Sequence, residues 1–196
     1  MEILMPQDKI IEEIKINSVL RDRRIFINEE VDRDSMFKAV YFLDRIVAID
    51  NKANIPMSER DSIELLINSY GGSIEQGLSL ISKVEELMDK GYKIITTIQA
   101  VSYSMGFMFA IIASERRAYR YSILLAHQPS CWLGGTLQTL EDEVTELKRL
   151  WILIKKLIIK YTKIPESKLN EVKEKKQDWI LTAEEALELG CIDKIL

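Results

Sequence analysis

Residues 63–72 place the tightest constraint on how this chain can fold. Ile63-Glu-Leu-Leu-Ile67 is a short, largely apolar run. Asn68-Ser-Tyr-Gly-Gly72 then turns the chain into Ser73-Ile-Glu-Gln76, which has the spacing of a helix capping box. An apolar run without alternation suits a strand covered on both faces, the environment of a parallel sheet. Parallel neighbours must be joined by a crossover, usually a helix. A strand, a glycine turn and a capped helix in immediate succession therefore make one unit of an α/β fold.

The same order recurs along the chain. Arg24-Ile-Phe-Ile27 reads as a strand, and Asp32 caps a helix to about Asp50. Met36, Phe37, Val40, Leu43, Ile46 and Val47 form its apolar stripe. Asn51 to Asp61, with Pro56, reads as a polar loop. The helix opened by Ser73 ends near Gly91, a residue suited to the left-handed C-terminal position. Ile94 to Ile98 is the next strand, followed by a turn and a buried helix from about Met105. Arg116, Arg117 and Arg120 mark a surface turn, and Ile123 to Ala126 is a strand that delivers His127 at its end. Gly134-Gly135 opens a long helix over Thr136 to Tyr161. Leu137, Leu140, Val144, Leu147, Trp151, Ile154, Ile158 and Tyr161 form one seam on it, and Leu150, Leu153 and Leu157 a second stripe. Thr182 and Glu185 have capping-box spacing, Gly190 stops that helix, and Cys191 to Leu196 reads as a last strand. Strands alternating with helices give an α/β fold over residues 1–196 with no internal boundary, residues 1–18 standing apart as an N-terminal segment.

Composition narrows the function classes. The 196 residues are 47% hydrophobic and 30% charged, which is a globular composition. A net charge of -4 gives no global electrostatic reason to bind nucleic acid or an anionic membrane. Cys131 and Cys191 form no ligand cluster and suggest packing roles in a reducing compartment. No metal and no cofactor is expected. The start of the chain lacks the pattern of a secretory signal. Ile94 to Ser114 is uncharged and long enough for a membrane span of about 20 residues, but its first half carries Thr96, Thr97, Gln99, Ser102 and Ser104. A strand followed by a buried helix is the better reading, and a cytoplasmic location is expected. There is a single histidine, so any mechanism that needs a histidine base must use His127.

Ser104 stands where a strand and turn meet a helix start. Unpaired amide N–H groups there suit a nucleophile and a developing oxyanion. By itself it reads more simply as an N-cap serine. His127 is either a base or a strand-end histidine bonded to backbone. Asp178 precedes an apolar run, and spacing alone does not select it from the many carboxylates as the group that orients the base. Gly71-Gly72 lets backbone approach a ligand, or simply makes a turn.

Taken together, these segments resemble the proteolytic subunit of the Clp protease, a serine peptidase family with a crotonase-like ββα superhelix. Asn68-Ser-Tyr-Gly-Gly72 resembles the family's Asn-Ser-Pro-Gly-Gly, and Ser104-Met-Gly106 its Ala-Ser-Met-Gly nucleophile segment. His127-Gln-Pro129 resembles its His-Gln-Pro. Asp178-Trp-Ile-Leu-Thr-Ala183 and Leu189-Gly-Cys-Ile-Asp193 resemble its closing motifs, and Leu20 to Ile27 its entry strand. The resemblance covers Val19 to Leu196. It implies Ser104 as nucleophile, His127 as base and Asp178 as the residue orienting it. It also implies an oxyanion hole from the backbone N–H groups of Gly72 and Met105, with Gly71 and Tyr70 beside the substrate. It implies a protruding handle helix, heptameric rings stacked as a tetradecamer, an AAA+ ATPase unfoldase partner and unfolded polypeptide substrates. No Walker A pattern is present, so ATP use would be the partner's.

Three positions depart from the family pattern. Tyr70 stands for a proline, Val101-Ser-Tyr103 for Gln-Ala-Ala, and Gln177 for an arginine that helps tie two rings together. The first two bear on substrate preference and the third on ring stacking. Residues 1–18 have no clear counterpart. The alternatives are a non-catalytic ring subunit of the family, a crotonase-fold acyl-CoA enzyme, and a membrane-bound relative that degrades signal peptides.

Overall fold

The computed structural model describes residues 16–130 and 134–196. Residues 16–22 are helical (α1) and lead into β1, Arg24–Ile27. Asp32 caps α2, Arg33–Lys52: its carboxylate accepts from the Ser35 N–H, and the Ser35 hydroxyl accepts from the Asp32 N–H. The expected polar loop contains a 3-10 turn at Met57–Glu59. Then follow β2, Ile63–Ser69, and α3, Ile74–Asp89, whose N-cap Ser73 accepts from the Gln76 N–H. Next come β3, Ile94–Tyr103, and α4, Met105–Ile111. They are followed by β4, Glu115–Ala118, and β5, Ile123–Ala126. After α5, Leu137–Tyr161, come α6, Glu166–Glu174, and β6, Trp179–Thr182. The chain closes with α7, Ala183–Glu188, and β7, Lys194–Ile195. The uncharged stretch is thus a strand and a seven-residue helix, not a span. Among the described residues no helix is long and apolar enough to cross a membrane.

The strands run β1-β2-β3-β4-β7, all in parallel, and β5 joins β3 on one side and β6 on the other. β3 serves two neighbours in succession. Ile95 to Ile98 pair with β4, and Val101 to Tyr103 pair with β5. Between the two the β2/β3 register slips: Ile67 faces Ile98, but Ser69 faces Ser102. The Asn68 side chain fills the gap, its Oδ1 accepting from the Val101 N–H at 3.3 Å. This bulge bends β3 from one partner to the other and carries its C-terminal end over the glycine turn.

Two sequence expectations are corrected. Arg116 and Arg117 do not lie in a surface turn; they are in β4. Arg116 is largely buried because its guanidinium is fully used, donating to the Asp193 carboxylate at 2.6 and 3.0 Å and to the carbonyls of Tyr161 and Gly190. That pairing holds the Asp193 carboxyl below its usual range. The last strand is two residues, not six, because the N–H groups of Cys191 and Ile192 both donate to the Ala186 carbonyl and close α7. Burial pushes the Cys191 thiol up to about 12, so it is an inert core group.

Candidate active site

Ser104 connects β3 directly to α4 in a strained conformation, φ 55° and ψ −117°. A serine pays for such a positive φ with strain, which persists only where surrounding structure enforces it. The enforcement is visible: the Ser104 N–H donates to the Leu125 carbonyl at 2.9 Å, tying the turn to β5. The N-cap reading fails on the side chain, because Ser104 makes no capping hydrogen bond. Its hydroxyl is left for other work.

The glycine turn abuts this segment. A Cβ on Gly71 would lie 2.7 Å from Ser104 Cβ, 2.8 Å from the Tyr103 carbonyl oxygen and 3.1 Å from the Met105 nitrogen. Gly71 also has φ 96°, so only glycine is unstrained there. The turn is pinned on both sides of Gly72: the Val31 N–H donates to the Gly71 carbonyl at 2.8 Å, and the Ser73 N–H to the Val31 carbonyl at 2.7 Å. In a parallel bridge the residue between such bonds turns its own N–H away from the partner strand, here away from Val31. Ser69 fixes the turn from below, accepting from the Gly71 N–H and donating to the Glu29 carbonyl.

His127 sits one residue past β5. Because Ala126 pairs with Trp179 in the antiparallel β5/β6 ladder, His127 and Asp178 face each other beyond it. His127 Nδ1 is 3.5 Å from Asp178 Oδ1, an ion-pair distance rather than a hydrogen bond. The histidine side chain is 27% exposed and the aspartate 68%. Ser104 and His127 line one narrow pocket, closed by Ile74 of α3, Met108 of α4, and Ile154 and Ile158 of α5. On the other side of Ser104, Tyr70 and Tyr103 meet edge to face, centroids 5.4 Å apart.

The fold therefore brings together Ser104, His127, Gly71, Gly72 and Met105, places Asp178 beside His127, and sets Tyr70 at the rim. Three contributors are not legible in the sequence pattern. Ile154 and Ile158 belong to the packing seam of α5 and also wall the pocket, across more than 40 residues of chain from Ser104. Tyr103 departs from the family pattern, and its contact is to Tyr70. Nothing local marks either role.

An α/β fold that gathers a hydroxyl, an imidazole, a carboxylate and a glycine turn at strand ends has the makings of a hydrolase. The chain belongs to the Clp protease family, whose model matches residues 8–196. It is 30% identical over 185 residues to the ATP-dependent Clp protease proteolytic subunit 2 of Thermobifida fusca (strain YX), an alignment covering 91% of this chain and 82% of the relative. The protein is accordingly a hydrolase of the proteolytic-subunit class, acting in proteolysis.

Proposed function

We propose that the chain is a serine endopeptidase that cleaves unfolded polypeptides inside a chamber formed by its own copies. The observation that carries this reading is the strained, uncapped Ser104 in one pocket with His127, whose Nδ1 is directed to Asp178. With Nδ1 toward the aspartate, Nε2 is the nitrogen for the serine proton. Ser104 Oγ attacks the peptide carbonyl, and His127 takes its proton. The oxyanion is held by the N–H groups of Gly72 and Met105. Collapse breaks the C–N bond, His127 returns the proton to the leaving amine, and water then hydrolyses the acyl-serine by the same route. Gly71 and Tyr70 would border the extended substrate.

Seven-membered rings, stacked in pairs and fed by an AAA+ ATPase unfoldase, are the assembly we propose, with the chain acting as one peptidase domain and working in the cytoplasm. The decisive experiment is labelling with a fluorophosphonate and mapping the adduct. Modification of Ser104, lost in His127→Ala, is expected. Activity without a Ser104 adduct would point to acyl-CoA chemistry or another nucleophile and overturn the reading.

The oxyanion assignment has its own test. A Cβ on Gly72 would lie 2.4 Å from the Val31 carbonyl oxygen and 2.8 Å from its nitrogen, both backbone atoms already held in hydrogen bonds. The turn must shift to admit it. Loss of one oxyanion donor is worth about 10^2 to 10^3 in kcat. Gly72→Ala should fall by that order in a peptide hydrolysis assay while circular dichroism stays native. A wild-type kcat would remove Gly72 from the site.

A further inference from the structure

The Tyr70–Tyr103 pair is the feature beside Ser104 that the chemistry above leaves unused. We infer that it forms a subsite for an aromatic side chain of the substrate residue on the leaving-group side of the cleaved bond. The inference rests on the peptidase reading.

Strand alternation sets the direction of the pair. Ser69 and Ser102 are register partners, both buried, with Ser69 Cβ close beneath Gly106 of α4. Tyr103, one residue further along β3, points to the opposite face, and Tyr70, just past the end of β2, meets its ring. The narrow pocket lies on the α4 and α5 side and excludes both tyrosines. Ser104 thus stands on a lip between an apolar pocket and an aromatic wall. The pocket suits the side chain of the residue being acylated. The wall lies across Ser104 from that pocket and so falls to the other half of the substrate, while His127, which lines the pocket beside Ser104, delivers the proton to the leaving nitrogen between them.

The chemistry of the wall selects its occupant. The rings are nearly perpendicular, 87° apart, and hold each other in place, yet Tyr70 is 76% exposed. A fixed ring with an open face accepts a third ring in edge-to-face or offset geometry. Proline and alanine, which hold these positions in the resembled family, offer no such surface. The preference is therefore this chain's own.

The test uses internally quenched peptides that differ only in the residue following the cleaved bond: Phe, Leu, Lys or Ala. Cleavage is mapped by mass spectrometry. For the wild type, kcat/KM with Phe should exceed that with Ala by roughly 2- to 10-fold, the range set by aromatic pair energies. Tyr70→Ala should bring the ratio close to one, and Tyr70→Phe should keep it, since the ring and not the hydroxyl is required. A flat wild-type series, a preference for Lys over Phe, or a Phe preference that survives Tyr70→Ala would overturn the subsite while leaving the peptidase intact. If no peptide is cleaved and Ser104 takes no fluorophosphonate label, the peptidase reading has failed and the subsite falls with it.

Discussion

Ser104→Ala and His127→Ala should each abolish nearly all peptide hydrolysis, with kcat lower by about 10^4-fold or more. The serine has no substitute: Ser102 is fully buried in β3 and does not line the pocket that Ser104 shares with His127. The base has none either, because the sequence holds one histidine. The double variant should be scarcely worse than either single one, since nucleophile and base act as a unit and the loss of one disables the other. Asp178→Asn should keep the fold, the side chain being 68% exposed, and still cost orders of magnitude by favouring the wrong imidazole tautomer. Steady-state hydrolysis of a fluorogenic peptide reads all four variants. Substantial turnover by Ser104→Ala would sink the nucleophile assignment outright.

What the sequence disclosed follows the range of the forces involved. Helix starts were legible because caps are local: Asp32 with Ser35, Ser73 with Gln76 and Thr182 with Glu185 each act within three residues. β2 was legible because a parallel strand must be apolar on both faces. The second half of β3 was not, since Val101 to Tyr103 take a full set of partners from β5, some 20 residues later. Arg116 looked like a surface residue because its charge is visible locally, whereas Asp193, which allows its burial, is 77 positions away. α6 escaped notice because it buries only Leu169 and Val172, and its N-cap Pro165 makes no side-chain bond. In the site, motifs identified Ser104 and His127 as candidates. The choice between nucleophile and cap turned on a backbone φ and an unmade hydrogen bond, which composition and periodicity do not encode.

Leu153→Asp should break the proposed assembly without unfolding the subunit. α5 is apolar on two sides, and its own subunit covers mainly one: Trp151, Ile154 and Ile158 are buried and Leu157 of the second stripe packs against the same core, while Leu153 is 40% exposed and Ile152 and Ile159 are exposed on a further flank of the helix. Large apolar side chains left uncovered along one helix are surface that a partner would bury. Each such side chain fully buried there would contribute on the order of 1.5–3 kcal/mol, repeated at every copy around a ring. Such a sum could offset the absence of an arginine at Gln177, where the resembled family draws on one to join rings. An aspartate in that contact leaves a charge to be desolvated without a partner, and sedimentation velocity should then show single rings or smaller species with native circular dichroism. Activity should fall as well, through a connected path. Ile154 and Ile158 wall the pocket, and Lys155 on the same helix binds Glu166 at 2.8 Å and Asn170 at 3.0 Å in α6. α6 ends at Glu174, four residues before Asp178, so a shift of α5 is passed to both the pocket and the carboxylate beside His127. A wild-type chain that sediments as a monomer with full peptidase activity would show that this stripe needs no partner, and the chamber would have to be abandoned for this protein.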